Sequence, residues 1–296
     1  MIESAQRWLT IRADATPSTG AGHAMRCLSV AEQWRELGGA AELWGDVSLE
    51  FVATRARNGG VEVRSQAQLH GRDLLLVDIY DEAERRRLAR EHSHRTRVLV
   101  DDLISGEYRE FDAVWNPNAY GEPTSYPDTT ALAGEGYVPI REGLPRWSTN
   151  ARGGAVAFGG GSLSNSLRRL VADLPAITRE SEGTSVADPA PAGWRRVDPL
   201  DPWRSLHSAR WLLIAAGSML WEAAAVGIPV VVCITADNQV HAGGWAERHG
   251  APVFDLRGDF AVDAVATRIA AALRAAHPLP SLVPGARQVA SRLWEL

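Results

Sequence analysis

A glycine-bearing turn between a strand-like run and a helix-like run sets the first constraint on this chain. Residues 8–14 form an apolar run with strand character, and Gly20-Ala-Gly-His-Ala-Met-Arg-Cys27 follows. Residues 25–37 then repeat Leu28, Ala31, Trp34 and Leu37 on one helical face. Glycines at the mouth of a strand–turn–helix let the backbone approach a diphosphate, and the helix N-terminus offers unpaired N–H groups and positive dipole. His23 sits in that turn, where an imidazole meets whatever the phosphates carry. The turn fits G-x-G-x-x-G only in part, because Met25 stands where the third glycine belongs, which disfavours a nicotinamide dinucleotide.

The same grammar recurs along the chain. Strand-like runs at 41–47, 61–63, 73–80, 97–102 and 113–116 alternate with helix-like runs at 51–57 and 81–91. The run at 73–80 is nearly continuous in apolar residues, as expected for a strand covered on both faces. Residues 117–152 lose this periodicity, which places a boundary near 145–152, between an N-terminal domain, 1–148, and a C-terminal domain, 149–296. The second half restarts with strands at 154–158, 211–215, 229–234 and 252–254. Helices follow at 163–174, up to 226, and at 240–249, 261–276 and 288–296, while the polar, Pro-rich 178–200 reads as a loop or an eroded βα unit. The pattern predicts an α/β chain of two Rossmann-like domains, with a cleft at the C-terminal ends of their strands. On that plan the turn at 20–23 and the loops at 159–162 and 216–218 line one crevice.

Composition narrows the function classes. A chain of 296 residues suits two domains. A net charge of −5 without a basic stripe argues against a nucleic-acid partner. All 31 residues counted as Lys+Arg are Arg, which points to a GC-rich genome. No apolar run reaches about 18 residues and no signal peptide opens the chain, so a cytoplasmic protein without a membrane partner is expected. Cys27 and Cys233 give neither a disulfide framework nor a metal-ligand spacing. With no Asp-x-Asp pair and no Walker A loop, neither a metal nor a cofactor is expected beside the phosphates.

Asp14, Asp78 and Asp101-Asp102 fall at strand ends, where catalytic groups gather and where acidic residues also cap turns. Ser218 opens a helix as an N-cap or a phosphate ligand, and Asn238-Gln239 opens another.

Taken together, Arg12-Ala-Asp14, Gly20-x-Gly-His23, Met25-Arg-Cys27, Val77-Asp-x-Tyr80, Asp101-Asp102 and Asn116-x-Asn118 resemble the UDP-sugar hydrolases of the pseudaminic-acid pathway, the PseG family. Gly136-Tyr137 to Arg141, Phe158-Gly-Gly160 with Asn165, Ala215-Ala-Gly-Ser218 to Trp221-Glu222, Gly227-x-Pro229 and Asn238-Gln239 extend the resemblance along most of the chain. It implies a GT-B-like fold and metal-free, inverting cleavage at C1 of a UDP-sugar. His23 is then the catalytic candidate, with Asp14 the alternative base. Gly20, Gly22, Gly160, Gly161, Ser162, Gly217, Ser218, Glu222, Asn238 and Gln239 are the donor-binding candidates.

Ser162 stands where the family often has Asp, and 178–200 is shortened, which moves the expectation from hydrolase towards transferase. A cytosylglucuronic acid synthase-type reaction, joining UDP-glucuronate to cytosine in nucleoside-antibiotic synthesis, is one such outcome. The base would stack on Trp115, Tyr80 or Tyr120, and the sugar carboxylate would take an arginine fork from Arg12, Arg26 or Arg141. Asp78 and Asn118 complete the sugar and acceptor candidates. The expected partners are a UDP-sugar and a small-molecule acceptor, on a monomer or homodimer.

Overall fold

The computed structural model describes residues 6–66, 73–148, 150–159 and 163–296. The chain forms two units, Met1–Arg141 with Val283–Leu296, and Glu142–Leu282.

The first unit holds strands β1 (Trp8–Ala13), β2 (Ala40–Trp44), β3 (Glu62–Arg64), β4 (Asp73–Asp78), β5 (Thr96–Val100), β6 (Ala113–Trp115) and β7 (Thr130–Leu132). Helices α1 (Gly22–Glu36), α2 (Glu50–Asn58) and α3 (Glu82–Glu91) connect them. All neighbours pair in parallel, in the order β3-β2-β1-β4-β5-β6-β7. The two-residue period of a strand explains the unbroken apolar run at β4. Leu74 and Leu76 join the core of β1 and α1, while Leu75, Val77 and Ile79 join Leu88 and Ala89 of α3 on the opposite face. β7 escaped the sequence reading because three residues carry no periodicity, yet its partner β6 and the Asn116 N–H bond to the Leu132 carbonyl fix it.

The second unit holds β8 (Gly154–Ala157), α4 (Asn165–Thr178), β9 (Gly183–Ser185), β10 (Arg195–Arg196), the short α5 (Trp203–Leu206), β11 (Trp211–Ala215) and α6 (Met219–Val226). It continues through β12 (Pro229–Ile234), α7 (Val240–Arg248), β13 (Val253–Asp255), α8 (Val262–Arg274) and β14 (His277–Pro278). The strands run β10-β9-β8-β11-β12-β13, all parallel, and β14 pairs antiparallel with β12. Leu167, Leu170 and Leu174 of α4 and Ile269 and Leu273 of α8 cover Leu213, Val231 and Cys233 of the sheet. The stretch 178–200, expected as loop or eroded βα unit, contributes β9 and, at the edge of the sheet, β10.

Two expectations need correction. First, α1 begins at Gly22, not at residue 25, so His23 belongs to the helix's first turn. Second, the C-terminal helix does not close the second domain. Helix α9 (Ala286–Glu295) buries Val289, Ala290 and Leu293 in the same core as Leu28, Ala31 and Trp34 of α1. Trp294 meets Trp34 with ring centroids 4.6 Å apart, and the Arg7 guanidinium lies over both rings and donates to the Trp294 carbonyl. Helical periodicity announces that a face is buried, not which core buries it. Among the described residues no helix is long and apolar enough to cross a membrane.

Leu293 is fully buried in this cluster. Leu293→Ala is expected to cost about 2–5 kcal/mol, the usual range for truncating a core leucine. In calorimetry the loss should fall on the transition of the first unit and leave that of the second in place.

Candidate functional site

In open parallel sheets ligands bind beyond the strand C-termini, where the strand order reverses. The first unit reverses between β1 and β4, the second between β8 and β11.

At the first switch point the chain leaves β1, turns at Gly20 with φ +77°, and enters α1. A positive φ there suits glycine. Asp78 ends β4 beside this helix start, and its side chain is the centre of the site. Asp78 is 1% exposed, and its Oδ1 is 2.6 Å from His23 Nδ1. Arg26 lies one turn along α1 from His23. It donates from Nε to Asp78 Oδ2 (2.7 Å), from Nη2 to Oδ1 (2.6 Å) and from Nη1 to Asp102 Oδ2 (3.0 Å). The Tyr80 hydroxyl donates to the same Asp102 oxygen at 3.0 Å, and its ring meets the His23 ring edge-on at 4.5 Å. The Tyr120 hydroxyl donates to the Asp102 carbonyl, and the Cys27 thiol lies 3.3 Å from Asp78 Oδ2.

Burial opposes ionisation of Asp78, but the charges of Arg26 and His23 and their hydrogen bonds outweigh it and hold the carboxyl well below the usual carboxylate range. Burial likewise opposes the charge of Arg26, and Asp78 and Asp102 reverse that, so the guanidinium stays charged. Burial and the Asp78 charge push the Cys27 thiol well up, leaving it a protonated, unreactive donor.

The carboxylate on His23 is therefore Asp78, and Asp14 serves elsewhere. Asp14 Oδ1 accepts from Arg12 Nη1 (2.6 Å) and from the Asp46 N–H (2.8 Å). Arg12 spends Nε and Nη2 on Glu84 at 2.9 and 3.3 Å and lies over the Trp44 ring. These groups line an open recess of about 530 Å³ with Gly45, Asp46, Val47 and Ser65. Arg12 and Arg26 are thus occupied by carboxylates of the chain itself and present no open fork, and Arg141 is half-buried at the end of the first unit. Trp115 is fully buried and donates to the Tyr137 carbonyl, which removes it as a stacking platform. Asn118 is buried against Asn116 Oδ1, where its N–H and its amide hold the turn after β6. Tyr80 is 42% exposed.

Sequence reading grouped neither Asp102 with Arg26 nor Glu84 with Arg12. Their positions at a strand end and in the first turn of a helix were the available signals, but pairing across elements needs the register of the sheet.

In the second unit, Gly160, Gly161 and Ser162 lie outside the described residues. Gly217 follows β11, and Ser218 caps α6 by position but makes no side-chain capping bond. A Cβ added at Gly159 or Gly217 would meet nothing within 4 Å, and neither residue has a left-handed φ, so nothing internal requires glycine there. Glu222 Oε2 accepts from Trp203 Nε1 at 2.6 Å. Gln239 Oε1 accepts from the Thr235 N–H and hydroxyl, while Asn238 is exposed. Gln239 thereby closes the turn after β12, with its amide N–H groups still available.

No family model matches the chain, and no curated protein matches it in sequence. Among solved structures it is similar to MurG of Acinetobacter baumannii, at 13% identity and a TM-score of 0.59 over 98% of this chain and 100% of that one. It is similar to the glycosyltransferase SsfS6 of Streptomyces sp. SF2575, complexed with thymidine diphosphate, at 13% identity and 0.56 over 98% and 100%. A Listeria monocytogenes protein described as a UDP-N-acetylglucosamine 2-epimerase aligns at 10% identity and 0.59 over 98% and 95%. At such identities the likeness is one of fold, and the fold is GT-B: two Rossmann-like α/β domains.

Removing the Asp78 charge leaves Arg26 buried with one partner fewer. Asp78→Asn is expected to lower stability by about 3–5 kcal/mol at neutral pH, the scale for breaking a buried pair. Because the folded carboxyl titrates below its unfolded value of roughly 3.9, its contribution is in force above that pH and is lost as the pH falls further. Urea midpoints of the two proteins should therefore differ most above about pH 5 and converge in strong acid.

Proposed function

We propose that this protein is a glycosyltransferase that uses a UDP-sugar, inverts the anomeric carbon and releases UDP. The observation that carries the reading is the buried His23–Asp78 pair at the switch point of the first unit. A carboxylate only accepts, so Nδ1 bears the hydrogen of that bond and the neutral ring keeps its lone pair on Nε2. Nε2 takes the proton from the acceptor's O–H or N–H as that atom attacks C1. The C1–O bond to the diphosphate breaks, and UDP leaves with the electron pair. Asp78 fixes the tautomer and orientation of the imidazole and stabilises the imidazolium that forms.

The second unit holds the donor in this reading. The N-terminus of α6 faces charge growing on the diphosphate. Gly159 and Gly217, glycines without an internal reason, let the backbone approach the phosphates. One protein of similar fold holds thymidine diphosphate and another is described as acting on UDP-N-acetylglucosamine, which supports a nucleoside-diphosphate donor. No step calls for a metal.

The finer form of the reading has UDP-glucuronate as donor and cytosine as acceptor. The planar acceptor would rest on Tyr80. A second reading, hydrolysis with water as the nucleophile, is favoured by the motif series from Arg12 to Gln239.

One experiment separates these readings: incubation with UDP-sugars, with and without cytosine and related bases, followed by mass spectrometry. A transferase gives UDP and a glycosylated base only when the base is present. A hydrolase gives UDP and free sugar without it, and a 2-epimerase returns an altered UDP-sugar with no free UDP. His23→Ala is expected to lower kcat by about 10²-fold or more while UDP binding persists, the scale of a positioned acid–base group. Unchanged turnover would remove His23 from the chemistry.

A further inference from the structure

We propose that Arg26 is a positioning residue that sets the proton affinity of His23, offsetting the Asp78 charge so that the imidazole remains available as a base. The catalytic consequence rests on the function proposed above; the electrostatic effect does not.

A histidine whose Nδ1–H meets a lone buried carboxylate is drawn towards the imidazolium, because an opposite charge at contact favours the charged form. Once protonated, it can no longer accept a proton. Asp78 is not a lone carboxylate. The Arg26 guanidinium grips both of its oxygens, and Nη2 uses Oδ1, the same oxygen that receives His23. Nη2 also lies 3.1 Å from His23 Nδ1. With Nδ1 already donating to Asp78, both nitrogens are donors, so this approach is no hydrogen bond. It sets a fixed positive charge against the ring.

The charge is fixed in place and in time. Arg26 and His23 stand at i and i+3 on α1, on one helical face. Asp102 holds the third guanidinium nitrogen and is itself held by the Tyr80 hydroxyl. A guanidinium does not lose its proton in a protein, so its field on His23 is the same throughout the working pH range. The groups that touch His23 are Asp78 at the end of β4, Tyr80 just beyond it and Arg26 from α1; Cys27 and Asp102 stand one contact further out, on Asp78 and Arg26, and Tyr120 lies on the Asp102 carbonyl. Cys27, Tyr80 and Tyr120 act here as neutral donors. Arg26 thus brings the local charge from −2 to −1, counting Asp78, Asp102 and Arg26. A purely structural Arg26 would affect folding and leave the titration of His23 alone.

The test is a ¹⁵N NMR titration of the His23 imidazole in the full chain, which needs no substrate, alongside the pH profile of UDP release. In Arg26→Met the His23 midpoint should move to higher pH by about one unit or more, the lower end for a charge in contact. The acid limb of kcat/KM should move with it. Arg26→Lys keeps the charge and should stay near the parent. Arg26→Gln removes the charge while keeping an amide donor for Asp78; its midpoint should also move to higher pH, and it decides the question if Arg26→Met does not fold. An unmoved midpoint in the folded uncharged variant, or an equal shift in Arg26→Lys, overturns the proposal. A shifted midpoint without a matching acid limb leaves Arg26 its electrostatic role and removes His23 as the base.

Discussion

A carboxylate buried at the end of a central strand has to be matched by positive charge, and that requirement organises the first unit. β4 is covered on both faces, so Asp78 at its C-terminus is withdrawn from water by the same packing that makes the strand apolar. Arg26 answers it from α1, and doing so fixes the rotation of that helix. Three residues earlier on the same face, His23 is then brought to the same carboxylate oxygen. The spare nitrogen of Arg26 reaches Asp102 after β5, so the segments that follow three neighbouring strands, β1, β4 and β5, are tied at one point. Breaking such a buried pair leaves an uncompensated charge, so the arrangement that sets the imidazole against one carboxylate oxygen is tied to the fold of the unit.

The two units differ in how charge is distributed at the C-terminal ends of their strands. The first concentrates formal charge: Asp78, Asp102 and Arg26 in one cluster, Asp14, Glu84 and Arg12 in another. At the switch point of the second, Glu222 in the first turn of α6 accepts from Trp203 Nε1. Gly159, Gly217 and Ser218 add little side-chain bulk beside the N-terminus of that helix. Backbone donors serve diphosphates well because they are preorganised and cannot be neutralised by a change of pH. In the function proposed above a base, by contrast, must be tunable, and the charged cluster around His23 is the feature assigned to that role.

Much of this was legible in the sequence because it depends on local pattern. The alternation of strand-like and helix-like runs gave two Rossmann-like domains, and the apolar run at 73–80 gave a doubly covered strand. His23 stood out through its glycine turn. What the pattern could not carry was pairing between distant elements. Asp14 and Asp78 both end parallel strands next to α1, and only the side-chain geometry decides which one meets His23. Arg12 and Arg26 read as open forks in sequence because Glu84 and Asp78, which take up their guanidinium groups, lie 72 and 52 positions away. Trp115 sits in a run too short to show which face is buried. The bond from Thr235 to the Gln239 side-chain carbonyl is a further feature that composition and spacing do not encode.

The return of α9 to the first unit carries a consequence for how the polypeptide is made. The core around Trp34 is completed by Val289, Ala290 and Leu293. During synthesis the whole of Glu142–Leu282 therefore leaves the ribosome before the residues that finish the unit begun first. The usual N-to-C order of domain folding is inverted here. The later-made unit can complete itself while its predecessor waits, one helix short, with an apolar face still uncovered.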